Sequence, residues 1–136
     1  MENVDAVFVW RVMNIHRKAI ENIYRLAVAV HHKQLSKRDA VADALQQGGM
    51  SEGSARNFIS NLPHMLDGKG YKRSMNIGAT EYFLRGIYSD FGPEAFKRAT
   101  VSVRRQIIYY ESKRRESCQL SMAKMVQRLE EEYEAG

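Results

Sequence analysis

Apolar residues recur every three or four positions along most of this 136-residue chain. This spacing places them on one face of an α-helix. The only prolines are Pro63 and Pro93, and clusters of β-branched residues are few, which also favours helices. A chain of this length typically forms one domain. The pattern therefore predicts an all-α protein: a compact bundle of five or six helices in a single domain over residues 1–136.

The first helical segment extends from about residue 4 to about residue 34. It forms either one long helix or two helices with a break near residues 14–16. Within it, residues 6–10 are apolar on all sides. Such a stretch is normally buried on more than one side. We therefore expect that this helix can mediate a homodimer.

Residues 36–66 contain two short helices joined by a glycine turn. Ser36, with an acidic residue three positions later, is suited to cap the first helix, and Gly48–Gly49 is suited to end it. Ser51 can cap the second helix, which Pro63 should end or kink. The predicted buried faces are Ala40, Val41, Ala44 and Leu45 in the first helix, and Ala55, Phe58, Ile59 and Leu62 in the second.

This arrangement is typical of a helix-turn-helix unit, which places its second helix in a DNA groove. In such a unit Arg56 and Asn57 would point outward from the second helix. Arginine and asparagine side chains can form paired hydrogen bonds with guanine and adenine edges. The alternative is a plain helical hairpin with a solvated outer face, which is common in all-α proteins.

Residues 67–76 combine two glycines, a tyrosine and three cations. Glycines favour a mobile loop. Flexible cations beside an aromatic ring are suited to contacts with DNA phosphates. The candidate phosphate contacts in this loop are Lys69, Lys72 and Arg73. An ordinary polar connector is an equally good interpretation of the same residues.

Three further helices are predicted at about 78–91, 93–115 and from residue 117 or 121 to about 133. Arg104 and Arg105 lie off the buried seam of the second of these helices. Cations at a helix C-terminus are explained by the helix dipole. Because these two arginines are not at the end of the helix, they are better candidates for contacts with the DNA backbone.

Positive charge is concentrated in the C-terminal third of the chain, whose overall formal net charge is +5. Residues 91–128 contain nine Lys or Arg and three Asp or Glu, whereas the acidic tail 129–136 contains four Glu and no cation. The basic segment predicts an anionic partner. The acidic tail indicates that the chain screens part of its own positive charge, or that the tail increases solubility. A solvated helical face is the alternative.

The sequence lacks the motifs of common enzyme and metal sites. It contains no phosphate-binding glycine loop followed by Lys-Ser/Thr, no Cys-x-x-Cys, no His-Glu-x-x-His and no Gly-x-Ser-x-Gly. Its one cysteine, Cys118, fits a reducing compartment. No apolar run is long enough to span a membrane, and the N-terminus is acidic. We therefore expect a cytoplasmic, non-enzymatic protein without cofactor or metal.

Five short motifs occur in order along the chain. They are Ser54–Ile59, Met65–Gly68, Tyr71–Arg73, Glu81–Leu84 and Ile107–Glu111. In these motifs, which cover less than half of the chain, it resembles the helical segment that precedes the nuclease domain in McrA-like HNH restriction endonucleases. The His-Asn-His nuclease motif of that family is not present in this sequence.

The resemblance implies a helical module for DNA binding or target selection, acting alone or as part of a larger nuclease. It also favours Arg56, Asn57, Lys72 and Arg73 as contact residues. The sequence thus predicts a prokaryotic or phage protein, related to restriction or defence, that binds duplex DNA. The predicted DNA-binding set is Arg56, Asn57, Lys69, Lys72, Arg73, Arg104 and Arg105.

A second function fits the same sequence. A small basic helical protein from a phage or mobile element can bind and modulate a host nuclease or a nucleic-acid complex. Such a protein would use apolar surface, for which Val7, Phe8 and Trp10 are the candidates.

Overall fold

A computed structural model describes the backbone of residues 2–112 and 116–135, and the side chains of residues 16–111 and 119–134. Within these residues the chain forms six α-helices and no strand, which confirms the predicted all-α class. The helices are α1 (Glu2–His31), α2 (Lys37–Gln47), α3 (Glu52–Asp67), α4 (Ile77–Phe91), α5 (Pro93–Ser112) and α6 (Glu116–Ala135).

The helices divide into two compact units. The N-terminal unit, residues 1–60, contains α1, α2 and the first half of α3. The C-terminal unit, residues 61–136, contains the end of α3 and helices α4, α5 and α6. The organisation of the chain as a single domain stays a prediction.

In the N-terminal unit, α1 is one continuous helix that packs against α2. No break occurs near residues 14–16. The buried side chains of this pair are Ala19, Ile20, Ile23, Tyr24, Leu26 and Ala27 from α1, and Ala40, Val41 and Ala44 from α2. Val7, Phe8 and Trp10 lie outside the described side chains, so self-association through α1 stays a prediction.

The caps predicted for α2 and α3 are present. The Ser36 hydroxyl accepts a hydrogen bond from the Asp39 amide at 3.0 Å, and the Ser51 hydroxyl accepts one from the Ser54 amide at 3.2 Å. Gly48 ends α2 at φ +83°, a conformation that residues with a side chain rarely adopt. The sequence therefore defines the local boundaries of this helix pair, while its use as a helix-turn-helix is untested.

Two details of the pair differ from the prediction. Leu45 is 43% exposed, because the buried stripe of α2 is narrow and consists of Ala40, Val41 and Ala44. Of the two effects expected of Pro63, an end or a kink, the end does not occur, because helix α3 continues to Asp67; the kink stays a prediction. Proline removes one backbone donor and its ring crowds the preceding turn, and the burial of Met65 and Leu66 favours continuation of the helix beyond it.

In the C-terminal unit, α4, α5 and α6 pack pairwise. The most deeply buried side chains between them are Phe83, Leu84, Ile87, Val103, Val126 and Leu129. Near the end of α6, Tyr133 stacks on Tyr88 with ring centroids 3.9 Å apart, and Phe96 meets both rings edge-on. These contacts fix α5 as a rigid support for the surface described below.

Ion pairs join α6 to α4 in this unit. The Glu81 carboxylate accepts hydrogen bonds from Arg128 at 2.8 Å and from Arg85 at 3.0 Å, and Arg85 also reaches Glu132 at 2.7 Å. The hydrogen bond from Arg128, assisted by Arg85, lowers the pKa of Glu81 despite partial burial.

This shift predicts a loss of stability in acid. A lowered folded pKa means that Glu81 stabilises the fold fully above its unfolded pKa, about 4.3. This contribution decreases as pH falls below that value and is lost as pH falls through the folded pKa. We expect Glu81→Gln to be less stable than the wild type at pH 7, and we expect this difference to be smaller at pH 3. Urea unfolding at both pH values measures this. Glu94→Gln is the control, since Glu94 is 79% exposed and lies 3.7 Å from Lys97; an equal effect there would contradict the assignment.

Candidate nucleic-acid interface

The basic loop between α3 and α4 is anchored, which differs from the predicted mobile loop. The Asn61 side chain donates to the Arg73 carbonyl at 2.9 Å, and the Ser102 hydroxyl donates to the Lys69 carbonyl. Tyr71 and Met75 are buried. The buried side chains of Tyr71 and Met75, together with the two hydrogen bonds to backbone carbonyls, thus hold this loop in place. Its glycines alone would leave it mobile.

Tyr71 acts as a hydrophobic anchor in this loop. Its ring is 5% exposed, and burial raises the pKa of its phenol well above the usual value, with Tyr110 adding to the shift. Because the ring is buried, the predicted role of an aromatic beside flexible cations does not apply to Tyr71. Its packing instead fixes the backbone from which the neighbouring cations project.

The loop lies directly against α5. A Cβ atom added to Gly68, whose φ is +72°, would be 3.4 Å from the Arg98 carbonyl oxygen, and one added to Gly70 would be 3.4 Å from the Arg105 Cβ. The Arg98 guanidinium donates to the Leu66 carbonyl at 2.7 Å, at the C-terminal end of α3. The loop backbone around Lys69 thus lies directly against Arg98 and Arg105 of α5.

The structure therefore brings four of the predicted site residues together in the C-terminal unit. Lys69, Lys72 and Arg73 of the loop and Arg105 of α5 are all exposed. None of the four forms an ion pair with a carboxylate in the described part of the chain. We call Lys69, Lys72, Arg73, Arg98 and Arg105 the basic face.

Arg104 differs from its neighbour Arg105. Its guanidinium forms a two-pronged pair with the Glu130 carboxylate of α6, with one of the two contacts at 2.7 Å. Hydrogen bonding to Glu130 raises the pKa of Arg104 further. One residue along a helix turns a side chain by about 100°, which directs Arg104 toward α6. A cation that is already paired is a weaker candidate for phosphate contact.

These two adjacent arginines give a direct prediction. Arg105→Ala should weaken duplex binding by roughly threefold to tenfold, as expected for one lost phosphate contact, and Arg104→Ala should change it by less than twofold. Fluorescence anisotropy with one labelled duplex measures both. Equal losses from the two variants would contradict the distinction between the paired and the unpaired arginine.

In the N-terminal unit, the residues predicted to contact bases attract DNA less strongly than the basic face does. Arg56 is 52% exposed and pairs with Glu52 at 3.0 Å, one turn earlier on α3. Asn57 is half-buried. An exposed pair of this kind is worth roughly 0.3–0.5 kcal/mol, so Arg56 can exchange Glu52 for a phosphate. Because the charges of Arg56 and Glu52 cancel, this stretch of α3 provides no net electrostatic attraction for DNA.

Sequence reasoning missed Arg98 and the anchoring role of Tyr71. Arg98 precedes Arg105 by seven residues, which places both on the same side of α5. That spacing was visible in the sequence. The approach of the loop to α5 was not, because it depends on tertiary contacts of Gly68 and Gly70.

The outer side of α5 also exposes apolar side chains. Val101 is 45% exposed and Ile108 is 64% exposed. Both lie within about 60° of Arg105 around the helix axis, given 100° per residue. Cations and apolar groups therefore share one face of α5.

Comparisons with protein-family models, curated proteins and solved structures gave no match. The resemblance to McrA-like endonucleases thus stays a prediction. Within the described residues, no helix has the length and apolar character needed to cross a membrane. The described side chains also contain no group of three or more His, Cys, Asp or Glu residues placed to hold a metal ion.

Proposed function

We propose that the protein is a non-enzymatic, cytoplasmic DNA-binding module that contacts duplex DNA mainly through the basic face. The observation that carries the proposal is the anchored loop. Its exposed cations Lys69, Lys72 and Arg73 belong to a backbone that Asn61 ties to α3 and Ser102 ties to α5, and its Gly70 lies against Arg105. Cations without carboxylate partners attract the phosphate backbone, which provides most non-specific DNA affinity.

Anchoring supports this function for a second reason. Ordering flexible side chains and loops on binding costs free energy. A loop that is already held by Tyr71 and Met75 avoids part of this cost. In this proposal the α2–α3 pair adds Arg56 and Asn57 as secondary contacts, and Arg104 contributes little because Glu130 neutralises it.

Mapping the contact by NMR tests the proposed site. A 12-base-pair duplex is titrated into ¹⁵N-labelled protein, and amide shifts are recorded. The proposal predicts the largest shifts at residues 68–73 and around Arg98 and Arg105. Shifts concentrated at Arg56 and Asn57 would move the site to the helix-turn-helix-like pair. An unchanged spectrum at low salt would contradict DNA binding.

The exposed apolar residues of α5 favour a second candidate function. Val101 and Ile108 could contact a protein partner, as in a phage or mobile-element protein that modulates a host nuclease or nucleic-acid complex. A pull-down before and after nuclease treatment separates the two functions. Partner capture that survives nuclease and is lost in Ile108→Asp would favour the interaction protein.

A further inference from the structure

Large apolar side chains are exposed on both α5 and α6. Val101 is 45% exposed and Ile108 is 64% exposed on α5, and Leu120 is 61% exposed on α6. Single apolar residues on a surface are ordinary, whereas neighbouring ones that form a patch mark interaction sites. The positions of these three side chains relative to one another therefore decide whether they form a binding surface.

Helices α5 and α6 lie side by side and run in opposite directions. The Phe96 ring, near the start of α5, has its centroid 5.0 Å from that of the Tyr133 ring, near the end of α6. Closer to the connection between the two helices, Gln106 of α5 and Gln119 of α6 line the same cavity. Each level along α5 therefore has a matching level along α6.

Ile108 and Leu120 share one such level. They follow Gln106 and Gln119 in the chain by two residues and one residue, respectively. At about 1.5 Å per residue, this places them within about one turn of each other along the helix axes. An apolar pair thus lies near the connected end of α5 and α6.

Both apolar side chains border the same solvent-exposed seam. The ion pair between Arg104 and Glu130, whose side chains are 46% and 29% exposed, bridges α5 and α6 on the solvent side. At about 100° per residue, Ile108 lies about 40° from Arg104 around α5. Leu120 lies about 80° from Glu130 around α6 by the same rule. The outer sides of the two helices therefore form one continuous surface.

Farther from the connection, this surface has a cation on α5 and carboxylates on α6. Lys97 and Glu134 line one small cavity between α4, α5 and α6. Lys97 is 74% exposed and lies 3.7 Å from Glu94. Glu134 and Glu131 are exposed, and Glu131 accepts a hydrogen bond from the uncharged Gln127. Lys97, Glu131 and Glu134 each lie within about 40° of an exposed apolar residue of their own helix.

This surface is complementary to itself. We call it the α5/α6 face, and its residues are Lys97, Val101, Ile108, Leu120, Glu131 and Glu134. A two-fold axis parallel to the helices places α5 of one copy opposite α6 of a second copy and keeps every residue at its level. Ile108 then meets Leu120 of the second copy, and Lys97 meets Glu131 and Glu134 of that copy. Each contact occurs twice, so the assembly closes as a dimer.

We propose that this protein forms a homodimer through the α5/α6 face, with α5 and α6 of both copies packed as a four-helix bundle. A second copy fits this face because the face itself provides both sides of each contact, apolar against apolar and cation against carboxylate. The inference rests on the C-terminal unit alone and does not depend on DNA binding.

Dimerisation through this face leaves the basic face accessible. Around α5, Lys97 and Arg98 lie on opposite sides of Val101, at about 40° and about 60° from it. Arg98 and Arg105 are on the side of the loop, against Gly68 and Gly70. The dimer therefore exposes two copies of the basic face.

Sedimentation velocity of the whole chain without DNA measures the association, over roughly 1–200 µM, since small interfaces can dissociate in the micromolar range. We expect a reversible dimer. Ile108→Asp and Leu120→Asp should each weaken it by roughly thirtyfold or more, because each introduces two carboxylates into the apolar contact. Leu45→Asp is the matched control, since Leu45 is 43% exposed on α2, and it should dimerise as the wild type does.

A charge exchange tests the pairing itself. Lys97→Glu, or Glu131→Lys combined with Glu134→Lys, places like charges opposite each other in a homodimer and should weaken it about tenfold. In a one-to-one mixture, every contact between the two variants joins opposite charges again, so their association should return to within about threefold of the wild type. Lys18→Glu, at an exposed position of α1, makes the same change in net charge as Lys97→Glu and should not alter dimerisation.

A monomer at every concentration would overturn the proposal. So would a dimer that Ile108→Asp leaves intact, which would place self-association elsewhere, or a mixture of the two charge variants that associates no better than each alone. Circular dichroism checks that the variants fold, as expected for exposed positions. Duplex binding is measured separately by anisotropy, and its absence would contradict the proposed function but not the dimer.

Discussion

Replacing Lys69, Lys72 and Arg73 together by alanine is expected to weaken duplex binding by roughly tenfold to a hundredfold at low salt, because three phosphate contacts are lost. All three side chains are exposed and lack a carboxylate partner among the described residues. The fold should be unaffected, since the loop is held by Tyr71 and by its backbone carbonyls. Circular dichroism and anisotropy on the same samples measure both quantities.

A charge-matched control makes this result specific. Arg17, Lys18 and Lys124 are exposed cations outside the basic face. The variant in which these three become alanine has the same net charge as the loop variant. We expect this variant to retain duplex affinity within about threefold, because it changes only the overall electrostatic potential of the protein and removes no direct phosphate contact. Equal losses in the two variants would indicate attraction by net charge alone and would contradict a defined basic face.

The second large effect is expected at the anchor of the loop. Tyr71→Ala should lower the free energy of unfolding by about 3–5 kcal/mol, as for other large aromatic side chains removed from a core. It should also weaken duplex binding by roughly fivefold or more, because the released loop must be ordered on binding at about 1 kcal/mol per side chain. Chemical unfolding and anisotropy at a temperature where the variant is folded measure both effects.

Two controls separate anchoring from general stability. Tyr71→Phe keeps the buried ring and should retain both stability and affinity. Val126→Ala truncates a fully buried side chain of α6 outside the loop sequence, and should lower stability while leaving affinity unchanged. If Tyr71→Ala loses stability but binds DNA as well as the wild type, the anchored loop does not contribute to binding.

Much of the fold followed from local rules. Ser36 and Ser51 cap their helices, Gly48 and Gly92 end theirs with positive φ, and Pro93 begins α5, all as their residue types predict. These features depend on a few neighbouring residues, so a single sequence contains the information. The prediction about Leu45 was wrong, as was the expectation that α3 could end at Pro63, because tertiary burial as well as local preference decides which side of α2 faces the core and where α3 ends.

The candidate site was less predictable, because tertiary contacts decide which of its residues are exposed and which are paired. Composition alone identified Lys69, Lys72 and Arg73 as exposed cations. It could not distinguish Arg104 from Arg105, because that difference depends on Glu130, twenty-six residues away on another helix. Nor could it show that Tyr71 is buried, because that burial depends on contacts with residues distant in the chain.

The central claim is that this protein binds duplex DNA through phosphate contacts. Anisotropy of the wild-type protein with a short labelled duplex, at several salt concentrations from low to physiological, tests it most directly. We expect the logarithm of the affinity to fall linearly with the logarithm of the salt concentration, with a slope of roughly −3.6 to −4.5 for four or five contacts at about 0.9 each. Absence of binding at the lowest salt, or an affinity independent of salt, would contradict it.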